Sequence, residues 1–285
     1  MPEGPEVALI AEYLSELIVG KFLTKISVIS GRYFNKEIPG LSLINLPLKT
    51  LKVDSKGKFL WISFNNFVYL QNTFGLSGKW LLNPSDKTMS RRVDLEFTDE
   101  DSNKIIICYV DARNFGTIEF SDKLKLVNKL KKISYDALKS DITHDDMVKL
   151  FLSYKSKHKS HNIVKLLMDQ NAVVSGIGNY IVAEVLYDSS IDPHLTIGNI
   201  SDDKINSLVT SIRKIMKCSY CYNMTEYTKS MESIKLGKNT NYISDIDAYP
   251  RKLHVYGKKK DPYGKKVSTD EIIKGRKIYY VNLNN

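Results

Sequence analysis

MPEGPEVALIAEYLSELIVG, residues 1–20, sets both the first element of the chain and its first chemistry. Leu9, Ile10, Tyr13, Leu14, Leu17 and Ile18 recur at helical spacing. That spacing predicts an amphipathic helix over 5–19, with Pro5 in its first turn and Gly20 as its stop. Ahead of the apolar run stand Pro2, Glu3 and Glu6, two acids beside a secondary amine that is freed once Met1 is removed. An α-amino group has a pKa of about 7.7–8.0, so a useful fraction is unprotonated near neutrality, where a lysine needs strong perturbation. Such an amine can attack the anomeric carbon of a deoxyribose. Glu3 can then protonate the sugar ring oxygen as general acid, provided burial raises its pKa. Pro and Glu are also favoured at a helix start, for capping and dipole reasons, and taken alone these residues favour that plainer reading.

Beyond Phe22 the pattern changes to short β-rich runs, among them 25–29, 59–64, 67–71, 93–97 and 105–110. Gly, Pro, Asn and Asp turns separate them, as in an antiparallel sandwich. After Ser121 a Lys-rich stretch leads to helical patterns over 143–155, 161–169, 178–188 and 201–217. Ser201 is a plausible N-cap for the last, whose Ile205, Leu208, Val209, Ile212 and Ile215 form one stripe. Residues 225–250 are polar and irregular, and from Leu253 the alternation around DPYGKK reads as a β-hairpin. The expected class is α+β. Its expected parts are a sandwich over 1–122, a linker over 123–142, a helical domain over 143–250 and a hairpin over 251–285.

Composition narrows the partner. The 285 residues carry 42 Lys and Arg against 32 Asp and Glu, a formal charge of +10, which favours a polyanion. Three cysteines, Cys108, Cys218 and Cys221, make no closed disulfide framework and point to a reducing, intracellular setting. No apolar run approaches the ~20 residues that span a bilayer, and the start lacks a signal core, so no membrane partner is expected. The CxxC of Cys218 and Cys221 is a weak metal or redox signal, and packing is the simpler account.

MPEGPEV resembles the opening of the formamidopyrimidine-DNA glycosylase/endonuclease VIII family, and further fragments follow in that family's order. SKGKFLW (55–61) is similar to its catalytic-lysine turn, GLSG (75–78) to its void-filling loop and DARNFG (111–116) to its second intercalation loop. LLMDQ (166–170) with GIGNYIVAEVLY (176–187) resembles its helix, two-turn, helix motif. LHVYGKKK (253–260) and GRKIYYV (275–281) are similar to the two strands of its C-terminal finger.

The resemblance implies a bifunctional glycosylase and lyase acting on damaged double-stranded or single-stranded DNA as a monomer. It implies Pro2 as nucleophile, Glu3 as general acid and Glu6 as support, with Lys58 and Arg276 completing the catalytic set. Leu76, Arg113 and Phe115 then refill the stack after base flipping, while Lys165 and Asn179 hold DNA. A basic residue in a turn, such as Lys58, suits a phosphate. Asn179, after Gly176 and Gly178 at a helix start, suits either a phosphate grip among free amides or a plain N-cap.

Three features depart from the pattern, one of them a segment between Asp169 and Gly176 that is one residue longer than the resemblance leads one to expect. Leu76 stands where methionine is common. Many relatives bind zinc in the finger through four cysteines, whereas residues 253–285 contain no Cys and only His254, with Tyr263 and Val281 where ligands are expected. A tetrahedral site cannot be assembled from these residues. No metal and no cofactor are therefore expected, and Tyr256, Tyr279 and Tyr280 are expected to stiffen a zincless hairpin. Such fingers resemble members that favour oxidised pyrimidines, formamidopyrimidines and hydantoins over 8-oxoguanine, a preference linked in relatives to the loop corresponding to 225–250. Two rivals remain at this point: a damage or junction binder that lost catalysis, disfavoured by Pro2, Glu3 and Lys58 together, and a basic RNA-associated protein, disfavoured by the PEGPE start.

Overall fold

The computed structural model describes residues 2–85, 87–139, 142–230 and 253–282, the side chains of 225–230 excepted. They group into two compact units. One comprises residues 6–132 with Pro2; the other comprises residues 133–230 and 253–282 together with Glu3–Pro5. The expectation placed on the 225–250 loop falls mostly outside the described residues, as does Met1.

Helix α1 runs from Gly4 to Ile18. Its expected stripe is buried apart from a half-exposed Leu17, and Val7, Ala8 and Ala11 are buried as well. A helix apolar on more than one side is enclosed on more than one side. Gly20 ends the segment in a left-handed conformation, φ +87°.

Eight strands follow: β1 (Phe22–Val28), β2 (Leu48–Lys56), β3 (Phe59–Phe64), β4 (Tyr69–Thr73), β5 (Lys79–Leu82), β6 (Arg91–Thr98), β7 (Lys104–Val110) and β8 (Thr117–Ser121). Their order in one antiparallel sheet is β5-β7-β6-β1-β2-β3-β4-β8. At its middle β1 and β2 share only the pairs Phe22↔Lys49 and Leu23↔Leu48. Trp80 of β5 donates its indole N–H to Asn72 of β4 at 3.1 Å, and the Tyr109 ring of β7 lies 6.4 Å from that of Phe74, next to β4. Strands so far apart in sheet order meet only if the sheet folds over into two layers, which is the antiparallel sandwich read from the sequence.

The stretch 123–142, expected as a linker, contains regular elements among its described residues. These are α2 (Lys123–Lys132), which buries Leu126, and β9 (Tyr135–Asp136). The lysines of KLKLVNKLKK dominate its composition and hide a short apolar spacing. The division between units falls after Lys132 rather than at 122.

The second unit contains α3 (His144–Lys157), α4 (Ile163–Met168), β10 (Val174–Ser175), α5 (Asn179–Asp188) and α6 (Asp202–Ser230). Strand β10 pairs in parallel with β9. The Ser201 hydroxyl accepts from Lys204 N at 3.3 Å, as an N-cap does. Helix α6 runs well past the expected 217, because Cys218 and Cys221, three residues apart, continue the stripe of Ile212 and Ile215. Both cysteines are buried, and burial pushes the Cys218 thiol up to about 11, so this pair is packing. No helix among the described residues is long and apolar enough to cross a membrane.

The hairpin is β11 (Val267–Ile273) with β12 (Arg276–Val281), paired from Val267↔Val281 to Ile273↔Arg276. The expected leading strand over 253–260 is not one. Those residues form turns and bends, with a single bridge at Lys260↔Lys266, the amides of His254, Val255 and Tyr256 being claimed by Glu184 of α5.

Candidate active site and nucleic-acid interface

Helix α5 starts without a side-chain cap of its own, since its N-cap residue is Gly178. The orphan amides of a first turn need acceptors from elsewhere. Glu3 supplies them: one carboxylate oxygen accepts from Tyr180 N at 2.9 Å and the other from Ile181 N at 3.3 Å, with the residue only 1% exposed. Next to it Gly4 N donates to Gly176 O at 2.8 Å, an approach so close that a Cβ on Gly4 would lie 2.8 Å from Gly176 Cα. Gly176 itself is at φ +100°. Gln170 steadies this loop, accepting from Gly176 N at 2.7 Å and donating to Ile177 O at 3.0 Å. The residues 3–5 are thereby built into the helical motif.

Asn179 is not the cap. It is the first residue of α5, its Nδ2 donates to Lys277 O on β12 at 3.0 Å, and its buried Oδ1 has no hydrogen-bond partner. The amides read as free for a phosphate are, at Tyr180 and Ile181, occupied by Glu3. On α4, Lys165 is exposed.

In the first unit Pro2 and Glu6 are half-buried, Glu6 in the first turn of α1. Strands β2 and β3 pair down to Lys56↔Phe59, leaving Gly57 and Lys58 as a two-residue turn. Gly57 has φ +56°, and hairpin turns of this length take glycine first for that reason. Lys58 is half-buried in the turn.

Leu76, Arg113 and Phe115 sit on two loops that touch. Leu76 is half-exposed, Arg113 exposed and Phe115 58% exposed. Beneath them Asp111, 1% exposed, accepts from the Ser77 hydroxyl at 2.5 Å, from Gly116 N at 2.7 Å and from Arg113 N at 3.2 Å. Arg113 N also donates to Ser77 Oγ at 3.0 Å. Burial pushes the Asp111 carboxyl up, but the bonds from Ser77, Gly116, Arg113 and Asn114 outweigh it and hold it below its usual range. A Cβ on Gly75 would stand 2.7 Å from Gly116 N, and one on Gly116 would stand 1.8 Å from the Tyr109 hydroxyl. Arg32 Nη2 donates to Asn114 O at 2.7 Å and Arg92 Nε to Asp111 O at 2.9 Å, closing the outer side. Ser77 and Asp111 lay inside motifs already singled out, yet only their exposed neighbours were read as functional.

The hairpin carries Arg276 as the exposed first residue of β12, after a turn in which Gly275 N donates to Glu271 at 2.8 Å. Two carboxylates hold its base. Glu184 of α5, 2% exposed, accepts from His254 N, Val255 N and Tyr256 N at 2.8, 2.9 and 2.7 Å. Asp261 accepts from Tyr263 N, Lys265 N and the Tyr187 hydroxyl at 3.0, 2.8 and 2.9 Å, and burial with Asp261 pushes the Tyr187 hydroxyl up, so it stays a donor. Val255, Val267, Val281 and Ala183 form the apolar cluster between them, flanked by Tyr187, Tyr256 and Tyr279. His194 bridges Asp192 at 2.7 Å and Asp270 of β11 at 2.9 Å, with Tyr280 edge-on to its ring.

Residues 1–118 match the profile of the formamidopyrimidine-DNA glycosylase N-terminal domain and residues 133–229 that of the H2TH domain of the same enzymes. The chain belongs to the formamidopyrimidine-DNA glycosylase family. Among its relatives, the formamidopyrimidine-DNA glycosylase of Mycoplasma genitalium is 28% identical over 220 residues, covering 76% of this chain and 74% of its own. That of Corynebacterium jeikeium is 27% identical over 278 residues, covering 92% and 91%. The fold is that of the Lactococcus lactis formamidopyrimidine-DNA glycosylase crystallised non-covalently with DNA containing an AP site, at a TM-score of 0.76, 21% identity and coverage of 99% and 98%. The chain is accordingly a DNA glycosylase of base excision repair.

A zinc finger of the kind this glycosylase family often carries does not fit the residues present. At the expected ligand positions Tyr263 is 86% exposed and Val281 lies in the apolar cluster. Among the described residues no group of three or more His, Cys, Asp and Glu is placed to hold a metal. The carboxylates nearest the hairpin base, Glu184 and Asp261, are engaged with backbone amides.

Proposed function

We propose that this glycosylase is also a lyase and that its nucleophile is the amine of Pro2. The observation that carries the reading is the fixing of Glu3: a buried carboxylate, one residue from Pro2, held by the first-turn amides of α5. In the reaction the Pro2 nitrogen bonds to C1′ of the damaged nucleotide as the bond from C1′ to the base breaks. The departing base takes a proton from water, and the Pro2 N–H proton passes to the Glu3 carboxylate, which delivers it to the ring oxygen as the bond from C1′ to that oxygen breaks, leaving a protonated imine on the Pro2 nitrogen. The imine acidifies the adjacent carbon, and β- then δ-elimination expel the two flanking phosphates to leave a gap. Glu6 supports the amine, Lys58 assists proton transfer and holds a phosphate, and Arg276, Lys165 and Asn179 grip the backbone around the lesion. Leu76, Arg113 and Phe115 fill the space left by the flipped base.

The substrate is damaged DNA, double- or single-stranded, met by a monomer wherever that DNA resides. The zincless finger supports a preference for oxidised pyrimidines, formamidopyrimidines and hydantoins over 8-oxoguanine. Borohydride reduction with abasic DNA tests the mechanism. The cross-linked peptide should begin at Pro2, and an adduct on a lysine, or full activity of a form retaining Met1, would overturn it.

A further inference from the structure

We propose that Asp111 is a positioning residue that locks the loops bearing Leu76, Arg113 and Phe115 into one wedge, and thereby sets activity on duplex relative to single-stranded DNA. The inference rests on the wedge role proposed above.

A wedge must resist the stack it enters, since unstacking and flipping cost a few kcal/mol. Side chains on two separate short loops yield under that load unless the loops move as one body. The bonds around Asp111 make them one. The Ser77 hydroxyl gives its single hydrogen to Asp111 and receives the Arg113 amide, while the second Asp111 oxygen receives Gly116 N. The path Gly116–Asp111–Ser77–Arg113 therefore joins the loop of Leu76 to both ends of the loop of Arg113 and Phe115. Gly75 and Gly116 bring the two backbones too close for any intervening side chain. At 1% exposure no water is at hand to replace a missing acceptor.

Only a carboxylate satisfies this site. It offers acceptors on both oxygens and no hydrogen, whereas the isosteric amide sets an N–H against either Gly116 N–H or Arg113 N–H. Asp111→Asn keeps the shape and breaks the lock.

The test is single-turnover excision of one formamidopyrimidine lesion placed in duplex and in single-stranded DNA, by the wild type, Asp111→Asn, Ser77→Ala, the double variant and Leu76→Ala. The duplex-to-single-strand ratio should fall about tenfold in Asp111→Asn, as for one buried donor left unsatisfied. It should fall in Ser77→Ala, and no further in the double variant than in Asp111→Asn, because the two residues act through one path. An unchanged ratio in both single variants beside a fallen ratio in Leu76→Ala overturns the lock and leaves the wedge standing. An unchanged ratio in Leu76→Ala overturns the wedge itself. Equal losses on both substrates in Asp111→Asn with a lowered melting temperature would mean a purely structural role and overturn the proposal. Should Asp111→Asn fail to fold, Ser77→Ala decides alone.

Discussion

Glu3 and Gly178 compete for one space: a Cβ on Gly178 would stand 2.3 Å from Glu3 Cδ and 2.5 and 2.7 Å from its two oxygens. Gly178→Ala must push the carboxylate off the amides of Tyr180 and Ile181. A misplacement of about 1 Å costs on the order of 10²-fold in rate, so single-turnover base excision should fall by that order while circular dichroism stays native. Wild-type excision by this variant would show that Glu3 does not act from here.

Glu3→Gln separates the two halves of the proposed reaction. The amide oxygen still accepts from one of the two α5 amides while its N–H2 opposes the other, which lowers the melting temperature, and no acidic proton is left for the sugar ring. Base removal should drop roughly 10²- to 10⁴-fold, while cleavage of a preformed abasic site is largely kept. Equal loss of both activities would remove Glu3 from the role of general acid.

The finger divides into residues that hold it and a residue that reaches from it. Glu184→Gln places an N–H2 among three backbone N–H donors and should lower stability by about 1–3 kcal/mol, read as a lower melting temperature. Arg276→Ala, exposed on β12, should leave melting unchanged and weaken DNA binding about tenfold or more, since a charge-assisted bond contributes about 1.5–3 kcal/mol. Prolonged chelation should alter neither melting nor activity. Stoichiometric zinc whose removal lowers the melting temperature would refute this account of the hairpin.

His194 ties the hairpin to the turn before it in a pH-dependent way. Burial lowers its pKa, but the hydrogen bonds its ring donates to Asp270 and Asp192, with the charge of those carboxylates, outweigh that and raise it. A raised folded pKa means the contribution is full below the ordinary value of about 6.5 and is lost as pH rises through the folded value. The site is 41% exposed, so the effect is at most about 1 kcal/mol. The wild type should therefore melt slightly lower, relative to His194→Gln, as pH rises from about 6 to 8. A parallel pH profile for the two proteins would exclude the bridge as a stabilising contact.

Local periodicity made part of this protein legible in one dimension. The stripe of α1, the alternating strands and the helices from α3 to α6 depend on neighbours a few residues apart, so spacing alone reveals them. The run 253–260 shows the limit of that reasoning. Its alternation is strand-like, but a strand exists only where a partner accepts its amides, and here Glu184 takes them. Cys218 and Cys221 were legible as a pair and obscure as a helix face for the same reason, since what a residue packs against lies elsewhere in the chain.

By itself the sequence determined the family motifs, the α+β class, the absence of a cysteine set in the finger and the identity of the exposed residues Arg113, Phe115 and Arg276. Only the tertiary structure decided that Glu3 caps α5, that Gly4, Gly176 and Gly178 are glycines because two distant segments meet there, and that Asp111 and Glu184 are acids because each is ringed by amide donors. Periodicity is a property of neighbours along the chain. A buried carboxylate is explained by donors that reach it only after folding, and those partners have no fixed spacing in sequence.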